Sequence, residues 1–151
     1  MTTGYFEGIA PIAYEGPATE NELAFRHYNP EERLGGKTLR DHLRFSVAWW
    51  HGFAWQGGDP FGGPTFQRPW FSHSIDAARA KAATAVKMFA LPGQPFFCFH
   101  DADIRPEGAD FAETDRNFRT MVDYLGEKMA AGGPALLWGT ANLFGHRRYM
   151  A

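Results

Sequence analysis

The chain alternates short apolar runs with amphipathic helical patterns, and this order limits its possible folds more than any other feature. Apolar runs that predict strands lie in the first half of residues 45–55, in residues 95–100 and in residues 134–144. The order strand, helix, strand, helix, strand is typical of right-handed βαβ units on a parallel sheet. We therefore expect an α/β fold in which the loops after the strands share one edge of the sheet.

Two segments carry the signals of complete helices. The first has Ser74 as N-cap and Gly93 after its end, and its apolar face comprises Ile75, Ala78, Ala82, Val86 and Phe89. The second begins at Asp110 and Glu113, stops at Gly132 and Gly133, and has the apolar stripe Phe118, Met121, Val122, Leu125 and Met129. Each pattern predicts a helix that buries one face.

Two other segments lack a regular period. Residues 1–36 mix Pro, Gly, Glu and Asn, which predicts a loop-rich extension before a domain that starts at residue 37. A short turn of helix is expected at residues 37–42. Residues 56–70 hold four Gly and three Pro, so we expect a long surface loop of the kind that often carries function.

Composition excludes several classes of partner and site. The 15 basic and 17 acidic residues give a net charge of −2, so neither a nucleic acid nor a membrane partner is expected. The single cysteine, Cys98, cannot form an internal disulfide and indicates a reducing compartment. No run of about 18 apolar residues and no secretory leader is visible, so we expect a soluble, cytoplasmic protein.

Polar and aromatic residues follow each predicted strand. Because the carboxyl ends of parallel strands meet at one edge of a sheet, these residues are expected to form one site. They are Trp50 and Trp55 after the first strand, His100, Asp101 and Asp103 after the second, and Thr140, Asn142 and Phe144 after the third.

The spacing of His100 and Asp103 allows the carboxylate to accept the Nδ1 proton, which would leave Nε2 facing a ligand. Two other interpretations stay open. His100 could be an ordinary hydrogen-bonded histidine at a strand end, or His100, Asp101 and Asp103 could bind a metal ion. Three ligands within four residues would be cramped.

Aromatic residues make up 16% of the chain. Trp49 and Trp50 are expected to be adjacent on a strand and to face opposite sides, and a core role is the ordinary one for either. Aromatic faces also stack on sugar rings, whose hydroxyls need polar partners, so a carbohydrate or polyol site would explain both features. Phe61 on the glycine-rich loop should either fold back onto its own domain or dock into another subunit.

Four ordered segments resemble the N-terminal part of the xylose isomerases, in their longer class with an N-terminal extension. They are "LAFRHYNPEE", "FSVAWWHGFAWQGGDPFG", "FFCFHDADIRPEG" and "LLWGTANLF". The resemblance implies a TIM (β/α)8 barrel that interconverts D-xylose and D-xylulose, and often D-glucose and D-fructose. It also implies a homotetramer with two divalent cations, Mg²⁺ or else Mn²⁺ or Co²⁺, which assist a hydride shift after ring opening.

The resemblance further implies roles for single residues. His100 matches the histidine that opens the sugar ring, and Asp103 matches the aspartate that orients it. Trp50 or Trp55 would supply an aromatic wall, and Thr140 and Phe144 match positions that line the substrate pocket. Phe61 matches a phenylalanine that reaches into a neighbouring subunit's site.

The chain also departs from the family pattern. The family's metal ligands lie beyond the third strand, and this sequence supplies only about three of the eight βα units of a barrel. We therefore expect residues 37–151 to be the N-terminal part of a barrel, without metal ligands, inactive by itself and prone to associate through an open sheet. Two alternatives remain: another metal-dependent barrel, such as a sugar epimerase or endonuclease, or a non-catalytic sugar-binding or assembly module.

Overall fold

A computed structural model describes residues 5–58 and 61–143 of the chain. A π-helical turn, Trp50–Ala54, lies between the third strand and the second α-helix. The strands and helices, in chain order, are β1 Arg33–Leu34, β2 Lys37–Thr38, α1 Leu39–His42, β3 Ser46–Ala48, α2 Ile75–Ala90, β4 Phe96–His100, α3 Asp101–Ile104, α4 Phe111–Ala130 and β5 Ala135–Thr140.

Strands β3, β4 and β5 form a parallel sheet in that spatial order. Helix α2 connects β3 to β4, helix α4 connects β4 to β5, and the two helices pack against each other. The predicted α/β class and the order of its elements are therefore confirmed. This three-stranded sheet is open, and the described residues do not close into a barrel.

The two long helices begin and end where their capping signals predict. Ser74 Oγ accepts the Ala77 N–H at 3.1 Å at the start of α2, and Asp110 Oδ1 accepts the Glu113 N–H at 2.7 Å at the start of α4. Gly93, with φ of +64°, follows the end of α2 in the left-handed region that favours glycine.

An aromatic core joins the sheet to α2. Trp49, Phe89 and Phe97 are almost fully buried, and the rings of Phe89 and Phe97 stack with centroids 5.9 Å apart. The Trp49 ring lies 6.0 Å from Phe89 and 5.8 Å from Phe97. Much of the aromatic surplus therefore fills the core, and the buried centre of β4 agrees with its unbroken apolar run.

The prediction that Trp49 and Trp50 lie side by side on a strand is wrong. Strand β3 ends at Ala48, and Trp49 has α-helical backbone angles at the start of the π-helical turn. The turn still separates the two rings, because Trp49 enters the core while Trp50 stays half-buried. β3 itself is half-buried, and it is one of the two edge strands of this sheet.

The N-terminal residues are loop-rich, as expected, and lie against the end of α2. The Ile12 N–H donates to the Leu91 carbonyl at 2.7 Å. A small antiparallel hairpin of β1 and β2 crosses the expected boundary between residues 36 and 37, and Gly35 and Gly36 supply its turn with φ of +60° and +86°. The predicted turn of helix is α1, capped by Thr38.

Residues 56–58 and 61–70 form neither helix nor strand, as their glycine and proline content predicts. Across the described parts of the chain, no helix combines the length and hydrophobicity needed to cross a membrane.

The aromatic core should dominate the stability of the chain. Phe89→Ala removes a ring that is 0% exposed and should lower the free energy of unfolding by about 3–5 kcal/mol, measured by urea denaturation. Leu34→Ala is the control, because Leu34 is 66% exposed and its loss should cost less than about 0.5 kcal/mol. Equal losses for the two variants would contradict this core.

Candidate functional site

His100 and Asp103 are brought together by the turn that follows β4. His100 is the last residue of the strand and also the N-cap of the one-turn helix α3. Asp103 Oδ2 accepts the His100 backbone N–H at 2.8 Å and lies 3.3 Å from His100 Nδ1. The predicted contact is therefore present, although His100 still belongs to the sheet rather than lying clear of it.

The same turn offers the imidazole two kinds of hydrogen bond. His100 and Asp103 form a capping box, in which the Asp103 backbone N–H faces the His100 side chain and the Asp103 carboxylate contacts Nδ1. A protonated Nδ1 can donate to the Asp103 carboxylate, whereas an unprotonated Nδ1 can accept the Asp103 N–H. The ring therefore has a partner in either state and is held in one orientation.

Asp103 is only 6% exposed, so its charge is costly unless it is compensated. Burial raises the pKa of Asp103 above its ordinary value, while hydrogen bonds from His100 and the positive charge of Lys81 offset part of that rise. The carboxylate thus depends on neighbouring donors and charges for its ionised form.

Lys81 is a neighbour of this turn that the sequence interpretation missed. It lies on α2, and its Nζ donates to the Asp103 backbone carbonyl. Burial lowers the pKa of Lys81 to about 8, against the opposing effect of the Asp103 charge. A signal was present in the sequence, because Lys81 is three residues after Ala78 and four before Ala85, on the apolar face of the helix.

Two tryptophans flank the imidazole. The Trp50 ring lies 4.7 Å from the His100 ring, and Trp138 lies 5.4 Å from Trp50 and 6.1 Å from His100, all between centroids. Trp138 was not predicted, although its place two residues before Thr140 on β5 puts both on one face of a regular strand. Trp55 instead packs edge-on against Phe66 at 5.5 Å, and its Nε1 donates to the Gly58 carbonyl.

The other predicted site residues have different positions. Thr140 pairs with His100 in the parallel ladder of β4 and β5, so the two strand ends do meet. Phe61 is 98% exposed. Phe144 lies outside the described residues.

Asp101 links the loops after β4 and β5. Its Oδ1 accepts the Asn142 backbone N–H at 2.8 Å, and its Oδ2 accepts a hydrogen bond from Arg105 at 3.1 Å. Arg105 is buried and also donates to Glu107. Burial alone would raise the pKa of Asp101, but the Asn142 and Ala102 N–H groups and Arg105 lower it below its ordinary value.

The geometry does not support a metal ion held by His100, Asp101 and Asp103. Across residues 5–58 and 61–143, no group of three or more His, Cys, Asp or Glu side chains is placed to hold one. Both oxygens of Asp101 are occupied by Asn142 and Arg105. The described residues therefore do not fit the two-cation site that the family resemblance implies.

A cavity of about 580 Å³ lies between α4 and the sheet. Its walls are mainly apolar, and they include Phe97, Phe99, Phe118, Leu125 and Leu136. Such walls offer few partners for sugar hydroxyls. The polar and aromatic cluster around His100 is therefore the better candidate for chemistry.

Comparison with known proteins decides the family. The chain is 65% identical over 147 residues to the xylose isomerase of Dinoroseobacter shibae, 61% over 149 residues to that of Cereibacter sphaeroides and 60% over 151 residues to that of Agrobacterium fabrum. These matches cover 97%, 99% and 100% of the chain. The chain belongs to the xylose isomerase family. No family model matches it.

The xylose isomerase assignment confirms the resemblance read from the four sequence segments. The chain spans about a third of the length of these relatives, 34% of the Dinoroseobacter shibae protein and 35% of the Agrobacterium fabrum protein. The family implies a TIM barrel, and the described βαβαβ unit with its open sheet agrees with part of one.

The Asp101 link should hold the loop after β5 in place. Asp101→Ala removes the acceptor for the Asn142 N–H and one partner of buried Arg105, so the free energy of unfolding should fall by about 1–3 kcal/mol. The Asn142 amide should also exchange faster with solvent, measured by hydrogen exchange. Asp115→Ala breaks an exposed pair with Arg119 and should cost at most about 0.5 kcal/mol, so a similar loss in both variants would contradict the link.

Burial of Lys81 should appear in the pH dependence of stability. Its pKa in the folded chain is about 8, below the ordinary 10.5, so the unfolded state binds one more proton between these values. Stability should therefore rise across that range, by up to about 3 kcal/mol.

The stability of Lys81→Met should not show this rise with pH, as measured by urea denaturation at several pH values. Lys87→Met, which removes an exposed lysine of the same helix, should keep it. Parallel pH profiles for wild type and Lys81→Met would show that Lys81 is not desolvated.

Proposed function

We propose that this chain supplies the ring-opening part of the active site of an aldose–ketose isomerase that acts on D-xylose and also on D-glucose. The observation that carries the proposal is the His100–Asp103 pair, with its 3.3 Å contact, beside the Trp50 ring. The isomerase activity of the relatives with 60–65% identity supports the same reaction class.

Ring opening moves one proton within the sugar, and a single imidazole can carry it. With Nδ1–H held by Asp103, the lone pair of His100 Nε2 accepts the proton of the C1 hydroxyl. The C1 carbonyl forms as the bond from C1 to the ring oxygen breaks, and Nε2 returns the proton to that oxygen. The Asp103 carboxylate stabilises the imidazolium formed between the two transfers.

The aromatic side chains give the sugar an apolar wall. Trp50 is the tryptophan that contacts His100, so we assign the wall to Trp50 rather than to Trp55, and Trp138 extends it. Sugar C–H faces pack on such rings, while the hydroxyls turn to polar partners. Thr140 and Phe144 remain proposed pocket residues.

The remaining features of the enzyme are proposals from the family. We infer that residues 37–151 begin a (β/α)8 barrel, that residues 1–36 are its extension, and that Phe61 enters a neighbouring subunit of a cytoplasmic homotetramer. Two divalent cations, Mg²⁺ or else Mn²⁺ or Co²⁺, would be held by parts of an isomerase-length protein other than the described residues.

The proposal can be tested in a chimera in which this chain replaces the matching third of the Dinoroseobacter shibae xylose isomerase. His100→Asn should lower kcat for D-xylose by about 100- to 10,000-fold, because it removes the proton carrier. His73→Asn, which changes an exposed histidine outside the cluster, should leave kcat unchanged. Circular dichroism checks that each chimera folds.

Two results would contradict a catalytic role. Near-normal turnover by a folded His100→Asn chimera would remove His100 from the reaction, and unfolding of that chimera would make His100 a packing residue. Weak D-xylose binding by the chain alone, together with normal turnover by the variant chimera, would favour a sugar-binding module.

The 151-residue chain by itself should show no isomerase turnover. Its described residues place no group of three or more metal-ligating side chains together, and the family reaction needs two cations. A coupled D-xylulose assay with purified chain and added Mg²⁺ measures this. Turnover above that of a His100→Asn chain would overturn the expectation.

A further inference from the structure

Lys81 extends from α2 to the turn after β4, the turn that holds His100 and Asp103 together. α3 has only four residues, so its carbonyls have few backbone N–H partners. The Lys81 ammonium, which extends from α2, donates to one of these carbonyls, that of Asp103. Asp103 therefore contacts His100 through its side chain and Lys81 through its backbone.

Stability alone does not account for a lysine at this place. The neighbours of Lys81 on the same face of α2 are Ala78, Ala82 and Ala85, all buried, and an apolar side chain would continue that face. An ammonium group loses hydration when it is buried, and a hydrogen bond to a neutral carbonyl returns only part of it. The lowered pKa of Lys81 reports this loss.

We propose that Lys81 is a positioning residue that holds the Asp103 turn and thereby fixes the tautomer and orientation of His100. This inference rests on the proposed role of His100 in ring opening. Lys81 acts in two ways through Asp103. Its hydrogen bond fixes the carbonyl end of α3, and its charge favours the ionised carboxylate that accepts the Nδ1 proton.

The tautomer of the ring gives a direct readout. In free histidine the neutral imidazole carries its proton mainly on Nε2, whereas a carboxylate beside Nδ1 favours the Nδ1–H form. The ¹⁵N shifts of the two ring nitrogens distinguish these forms. They are recorded on the ¹⁵N-labelled 151-residue chain, at a pH where the ring is neutral, with the His100 signals assigned by their loss in His100→Asn.

Wild type should show the Nδ1–H form, and Lys81→Met should shift the population substantially toward Nε2–H. Lys81→Arg, which keeps a positive donor, should restore most of the wild-type signal. Lys87→Met, with an exposed lysine removed from the same helix, should match wild type. A merely structural role of Lys81 would not move the tautomer in a chain that stays folded.

Two outcomes would overturn the proposal. In the first, wild type shows the Nδ1–H form and the folded Lys81→Met chain gives the same His100 signals. The second is the same shift in Lys87→Met as in Lys81→Met. If circular dichroism shows that Lys81→Met does not fold, Lys81→Gln is tested instead. Its amide keeps a hydrogen-bond donor but not the charge, so the His100 population should shift toward Nε2–H by a smaller amount.

The wild-type spectrum separates this proposal from the proposed function. An Nε2–H form in the wild-type chain would contradict the Asp103-held base on which ring opening depends. An Nδ1–H form in wild type that persists in Lys81→Met would reject Lys81 alone and leave the role of His100 intact.

Discussion

Burial of β4 between two parallel neighbours is the constraint on which the rest of this structure depends. Phe97 and Phe99 of that strand pack into the aromatic core with Trp49 and Phe89, so the strand has one register and one orientation. Its last residue, His100, therefore lies at the carboxyl end of the sheet beside Thr140 of β5. A core built for packing thus sets the position of the imidazole.

The turn after β4 concentrates charge in a protected place. Asp103 and Arg105 are buried, and Lys81 and Asp101 are half-buried. Each has a partner in the structure. The Asp103 carboxylate contacts His100, and Lys81 donates to the Asp103 carbonyl. Arg105 bridges Asp101 and Glu107. Such networks cost desolvation, and removing one member leaves another uncompensated. In exchange for this desolvation cost, the network fixes the geometry of His100, where proton transfer is proposed.

Much of this arrangement could be predicted from sequence, because the signals were local. Capping residues and apolar spacing predicted α2 and α4, the unbroken run predicted β4, and a three-residue spacing predicted the contact of His100 with Asp103. The π-helical turn was missed, since a β-prone aromatic run resembles a strand until tertiary packing bends it. Lys81 and Trp138 had local signals in their positions on a helix face and a strand face. Their contacts, like the Asp101–Asn142 link, join elements far apart in sequence, and no local pattern specifies the partner.

The central claim is that His100 opens the sugar ring, and a comparison of two substrates tests it most directly. D-Xylose must lose its pyranose ring before isomerisation, whereas D-glyceraldehyde has too few carbons to form an intramolecular ring. In the Dinoroseobacter shibae chimera, His100→Asn should abolish most turnover of D-xylose and largely spare that of D-glyceraldehyde. Equal losses on both substrates would contradict a ring-opening role and would place His100 in a later step or in packing.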